Sequence, residues 1–273
     1  MRYKTILVHA ALDDDAAGRI RYAASLARAC DAHLIGNAPT GVSRFLPPEL
    51  VDAAIAARCA QLRAQARRAL AQFDAIAREQ DILSAEAAFS DDQAEAALAL
   101  HARYCDLLVC SQGRADLVDP LLPADLAASL ALSCPCPVLA LPAGGWPRGP
   151  GGDALVAWDG GIAATRAVTA ALPLLRGARR VTVLGIGPLP GPGEEVPVLA
   201  LERWLRRHGV DAHARQERAR ADVGAALLDA AAACRATLLV MGAFGHARLR
   251  ETVLGGATAT VLARMTLPVL LAH

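Results

Sequence analysis

The chain repeats itself, and the repeat limits the fold more than any other feature. DLLVCSQGR at 106–114 returns as TLLVMGAFG at 237–245, an offset of 131 residues, and at the same offset CPVLALP (136–142) returns as LPVLLAH (267–273). Each copy runs from a short apolar stretch through a loop and a helical pattern to a second apolar stretch, so one supersecondary plan is used twice. The copies also begin alike, with KTILVHA (4–10) and DALVAWD (153–159), and AGGWPRGPGG (143–152) between them reads as a linker. The expected organisation is a first domain over 1–143 and a second over 153–273, and 273 residues are enough for both.

Within each half, strand-like and helix-like segments alternate. The pattern predicts strands near 4–10, 33–38, 82–89, 106–110 and 137–142, with helices near 15–30, 48–79, 91–104 and 123–133. In the second half it predicts strands near 153–158, 180–187, 211–217, 237–241 and 267–272, with helices near 162–174, 197–208, 222–235 and 252–264. The helix near 48–79 has the clearest period: Val51, Ile55, Cys59, Leu62, Ala66, Leu70, Phe73 and Ile76 recur every three or four residues. This alternation predicts an α/β fold with parallel sheets covered on both faces. Ligands of such sheets bind outside the carboxyl ends of the strands, where strand order reverses.

Composition excludes several function classes. A net charge of +1 with interleaved charges does not fit a nucleic-acid binder. Lys4 is the only lysine, which excludes the lysine of a Walker phosphate loop. The seven cysteines form no zinc spacing, and Cys134-Pro-Cys136 reads as two small apolar residues before a strand rather than a redox pair. Free thiols fit a reducing cytoplasm. MRYKTILVHAALDDD is too short an apolar run for a signal peptide, and Asp229 and Arg235 interrupt the most apolar window, so no membrane span is expected. GIGPLPGPG (185–193) lacks dinucleotide spacing and has prolines where a helix would start. The histidines show no ligand spacing, and no hydrolase motif occurs.

The stretch VMGAFGHARLRETVLGGATA (240–259) carries a different signal: Gly242-x2-Gly245-x9-Gly255, followed by Gly256, Ala257 and Thr258, between an apolar run and a helical pattern. With Asp159 at the end of the strand near 153–158 and the closing LPVLL, it resembles the universal stress protein family, in its tandem two-domain form. The resemblance implies two five-stranded parallel sheets of the adenine nucleotide alpha hydrolase type, order 3-2-1-4-5, paired as an intramolecular pseudo-dimer through 137–142 and 267–272. It also implies ATP, with Mg2+, held between the ends of strands one and four. There glycines admit the phosphates to backbone N–H groups and a helix N-terminus. Carried over, Asp159 meets the adenosine part, and Gly242, Gly245 and Gly255 are the motif glycines. Gly256 stands where the family has Ser or Thr, so one hydroxyl contact is lost. Thr258 matches another often hydroxylated position and is expected to compensate. Gly161 stands where many members have Ser. His246, Arg248 and Arg250 are placed to reach phosphates or to form a solvated loop face, and Trp158 to stack on a base or to pack at the strand end.

The first half departs further. At the same offset Ser111, Arg114, Ala124 and Asp125 replace Gly242, Gly245, Gly255 and Gly256, and an acid at that helix start repels phosphate. It is expected to carry no nucleotide site. Three functions remain open. The first is an adenine-nucleotide sensor or switch in stress response, with slow hydrolysis at most. The second is a nucleotide-free interaction module with an unknown protein partner. The third is a nucleotide-transferring enzyme, against which the absence of a lysine near the loop counts. Pairing of whole chains as a homodimer is compatible with each.

Overall fold

Runs of four or five aliphatic residues with no polar face can only be buried on both sides, and this chain places them at the centre of its sheets. The structure, a computed structural model, describes residues 2–113, 126–145, 149–188, 196–218, 221–244 and 256–273. Its contacts divide into two units, one made of Arg2–Cys136 with Ala143–Gly149, the other of Pro137–Pro142 with Pro150–His273.

The first unit contains β1 (Thr5–His9), α1 (Ala16–Cys30), β2 (His33–Pro39), α2 (Ala53–Glu79), β3 (Ala85–Ser90), α3 (Ala94–His101), β4 (Leu107–Ser111) and α4 (Leu126–Ser133). Its strands are parallel in the order β3-β2-β1-β4. The second unit contains β5 (Val138–Leu141), β6 (Asp153–Ala157), α5 (Ile162–Leu175), β7 (Arg180–Ile186), α6 (Pro197–Arg207), β8 (Ala212–Glu217), α7 (Val223–Ala233), β9 (Ala236–Gly242), α8 (Gly256–Arg264) and β10 (Val269–Ala272). Strands β6 to β10 are parallel in the order β8-β7-β6-β9-β10, the 3-2-1-4-5 order expected from sequence. Strand β5, the last of the first half, is grouped with this unit and pairs antiparallel with β10, Leu139 opposite Leu270.

Burial follows strand position. Ile6, Leu7, Val8, Leu107, Leu108 and Val109 in β1 and β4 are fully buried, as are Leu239 and Val240 in β9. The outer strands β3 (AEAAFS), mostly exposed, and β8 (AHARQE), partly exposed, carry charges, which discourages pairing with another edge. Among the described residues no helix is long and apolar enough to cross a membrane.

Helix α2 starts later than its apolar period predicts. A short 3-10 turn occupies Pro48–Leu50, and the α-helix begins at Ala53, where Asp52 caps it by accepting from the Ile55 N–H at 2.8 Å. Cys59, Leu62, Ala66, Phe73 and Ile76 are buried as expected, whereas Val51 and Ile55 lie exposed. Towards this end of the helix the buried residues Cys59 and Leu62 pack with Val42 and Leu46, and the apolar period runs on beyond them. Phe73 lies over β2 at Gly36, where a Cβ would stand 2.5 Å from the ring. The helix-to-strand turns use left-handed residues: Asp31, Asp81, Gly209 and Arg235, with φ between 52° and 76°.

Replacing Asp52 with Ala removes the α2 cap and is expected to lower stability by about 1 kcal/mol, measured as a shift in the denaturant midpoint with an unchanged slope.

Candidate functional site

In the second unit, β6 and β9 are parallel neighbours, with Val156 opposite Val240, so both chains leave the sheet at the same end. After β6, the Trp158 N–H donates to the Leu184 carbonyl at 2.8 Å and still follows the sheet. The chain then turns through Asp159 and Gly160, whose φ of +77° suits glycine. The Asp159 Oδ1 accepts from the Gly161 N–H at 2.8 Å, and Gly161 enters α5 with no side-chain cap. Asp159 and Gly160 are exposed. The Trp158 indole Nε1 is buried without a hydrogen-bond partner among the described residues.

At the end of β9 the sequence expectation for Gly242 needs a different physical reason. A Cβ on Gly242 would stand 2.5 Å from the Ala164 nitrogen and 2.8 Å from the Ala163 carbonyl carbon. The glycine lets the first turn of α5 lie on the strand end, a packing role independent of any ligand. The Ala243 N–H donates to the Ala272 carbonyl at 2.8 Å, and the Ala243 carbonyl lies 2.8 Å from the His273 Nδ1. Phe244 follows in a left-handed conformation, φ 54°.

Thr258 differs from its expected role. It is 4% exposed, and its Oγ1 accepts from the Phe244 N–H at 3.3 Å. Its hydroxyl fastens α8 to the end of β9 and does not stand in at the surface for the one missing at Gly256. Gly256 itself is exposed at the start of α8, with open space where a Cβ would stand, and Ala257 is half-buried beside it. No acidic residue lies in the first turn of α5 or α8. The structure thus brings Asp159, Gly242 and, through the Thr258 bond, the start of α8 to one end of the sheet. Gly245, His246, Arg248, Arg250 and Gly255 lie outside the described residues.

In the first unit the corresponding place is filled. Arg19, fully buried on α1, donates from Nε to the His9 carbonyl at 2.8 Å and from Nη2 to Asp13 Oδ2 at 2.8 Å. Its Nη1 donates to Asp13 Oδ1 at 3.2 Å and also to the Ser111 Oγ at the end of β4. A guanidinium thus ties the ends of β1 and β4 together. Burial raises the Asp13 carboxyl pKa, but the charge and hydrogen bonds of Arg19 outweigh it, and the net shift is downward. Burial and the Arg19 charge push the His9 pKa down to about 3 despite Asp13, so this imidazole is neutral at physiological pH. Sequence reading passed over Arg19 because nothing in its local pattern separates a buried arginine from the exposed ones around it. Arg114, Ala124 and Asp125 lie outside the described residues.

All seven cysteines are free thiols. Burial pushes Cys134 up to about 12 and raises Cys136 further, so the Cys134-Pro-Cys136 pair is protonated and unreactive. Among the described residues no cluster of His, Cys, Asp or Glu is placed to hold a metal ion.

Residues 153–273 match the model of the Universal stress protein family. This half of the chain is a universal stress protein domain. Over its full length the chain is similar in fold to a universal stress protein from Archaeoglobus fulgidus DSM 4304, with a TM-score of 0.71 at 14% identity over 98% of this chain and 95% of that one. A putative universal stress protein from Pseudomonas aeruginosa UCBPP-PA14 aligns with a TM-score of 0.57 at 20% identity, over 99% of this chain and 93% of that one. No curated protein matches the chain by sequence. The universal stress protein fold therefore extends across both halves, while the strand-end loop with Asp159 and Gly256 belongs to the half that the family model matches.

Two outcomes follow from this geometry. Gly242→Ala is expected to destabilise the chain by about 1–3 kcal/mol, because the clash is with backbone that cannot rotate away; thermal unfolding measures it. The unfolded chain protonates His9 near its ordinary pKa of 6.5, while the folded chain resists until about 3. The unfolded state therefore binds more protons across that window, and stability falls as pH drops from about 6.5, by at most ~1.4 kcal/mol per pH unit. Asp13, depressed in the folded state, adds to the loss only at lower pH, as its carboxylate is protonated. Melting temperatures from pH 7 to 5 should decline less steeply in His9→Asn than in the parent chain.

Proposed function

We propose that the universal stress protein domain at 153–273 binds an adenine nucleotide at the carboxyl ends of β6 and β9, and that ligand occupancy acts as a switch in a stress response. The observation that carries this reading is the open start of α8, where exposed Gly256 begins an acid-free helix N-terminus, at the same sheet end as exposed Asp159. Free backbone N–H groups at a helix start favour an anion. The residues fit ATP in this respect: α8 would receive the phosphates, with Mg2+ on their outer oxygens, and Asp159 would accept from the ribose hydroxyls. The Trp158 indole N–H, unpartnered among the described residues, is a further donor at the same strand end. The first domain, over 1–143, takes no nucleotide in this reading, because Arg19 and Asp13 already satisfy one another at its strand ends. Any hydrolysis would be slow and incidental, and the free thiols suit a cytoplasmic protein.

A second reading, a nucleotide-free interaction module, draws support from Gly256, which offers no hydroxyl, and from Thr258, which is buried with its oxygen accepting from the Phe244 N–H. The two separate by calorimetric titration with Mg-ATP. The nucleotide switch binds one ATP per chain, weakens at least tenfold in Asp159→Ala, and tightens several-fold in Gly256→Ser. A serine fits the open space there and supplies one hydrogen bond worth about 0.5–1.5 kcal/mol. No heat from the folded parent chain at millimolar ATP overturns the nucleotide reading and leaves the interaction module.

A further inference from the structure

The second unit has a cavity at the opposite end of its sheet, at the amino ends of β6, β7 and β9. It has a volume of about 380 Å3 and is lined by Asp153, Arg179, Arg180, Thr182, Cys234 and Arg235. Three exposed arginines thus share the lining with a single carboxylate. That carboxylate is taken: Asp153 accepts from the Arg179 Nε at 2.9 Å and from its Nη2 at 3.1 Å. These bonds, opposed by burial and joined by the charges of Arg179 and Arg180, hold the Asp153 carboxyl below its usual pKa. Arg180 and Arg235 make no ion pair or side-chain hydrogen bond among the described residues, and the Thr182 hydroxyl is likewise unpartnered.

Two ordinary explanations of these arginines fall short. The first is that they offset the negative carboxyl end of α7, which is worth about half a charge, whereas Arg180 and Arg235 bring two charges and make no ion pair among the described residues. The second is that Arg235 is merely a turn residue. The other left-handed helix-to-strand turns use Asp31, Asp81 and Gly209, while this one holds an arginine at φ 52°. Asp and Gly adopt that conformation readily and a long side chain does so less well. An arginine thus stands here against the backbone preference, and it lines the cavity.

We infer that this cavity is a second binding site, selective for a compact anion of the diphosphate type, held between Arg180 and Arg235 with the Thr182 hydroxyl as a further donor. Planar guanidiniums bind phosphate oxygens two at a time. The volume is at the small end for ligand sites, and no aromatic side chain lines it to take a base, so the ligand is a free diphosphate rather than a nucleotide. The site is independent of the nucleotide reading above, since it uses the other end of the sheet.

The test is calorimetric titration of the full chain with inorganic pyrophosphate at 0.15 M salt, where weak surface attraction is largely screened. The parent chain should bind one pyrophosphate, and Arg180→Gln and Arg235→Gly should each weaken binding at least tenfold. Arg235→Gly should melt at the same or a higher temperature, because glycine suits that φ, so its loss of binding is not a loss of fold. Absence of pyrophosphate binding at millimolar concentration overturns the inference. So does binding that survives both arginine substitutions.

Discussion

Parallel strands send every carboxyl end to one side of the sheet, and the helices that connect them begin on that same side. Each helix start carries free N–H groups and about half a positive charge. A fold of this type therefore creates polar demand at one end whether or not a ligand exists to meet it. The two halves of this chain meet that demand in opposite ways.

In the first unit the demand is met from within. Arg19 lies fully buried with its donors on the His9 carbonyl, Asp13 and Ser111. A buried ion pair gains stability only when its remaining hydrogen bonds are satisfied, and here the backbone carbonyl and the serine supply them. The strand ends are thereby locked, and His9 is held neutral beside them. In the second unit no such pair is present among the described residues. Glycines stand at the turns, α5 and α8 start without acids, and Thr258 spends its oxygen on holding α8 to β9. One unit fills its strand end with a buried ion pair, and the other places none there among its described residues.

The same unit concentrates positive charge at its other end, where Arg179 is matched by Asp153 and where Arg180 and Arg235 make no ion pair among the described residues. Helix carboxyl ends attract cations, so some arginine is expected there. The excess, together with a cavity and a left-handed arginine, is what distinguishes this end from ordinary charge balance.

Much of this was legible in sequence, because burial leaves a local periodic trace. The aliphatic runs at Ile6–Val8 and Leu107–Val109 marked central strands, the alternation of segments marked an α/β fold, and the repeat at 106–114 and 237–245 marked two copies. Gly242 stood out through the Gly-x2-Gly-x9-Gly spacing, and Asp159 through its place after the apolar run of β6. What the sequence could not carry were pairings between residues far apart in the chain. The bond from Arg19 to Ser111, the contact of Gly242 with Ala163 and Ala164, and the antiparallel register of β5 on β10 all join segments whose proximity exists only after the sheet has formed. The period in helix α2 likewise showed which face is apolar, but only the tertiary packing against it decided that Ile55 is exposed and Phe73 is buried. Local pattern determines what each segment must bury; the tertiary fold decides what it is buried against.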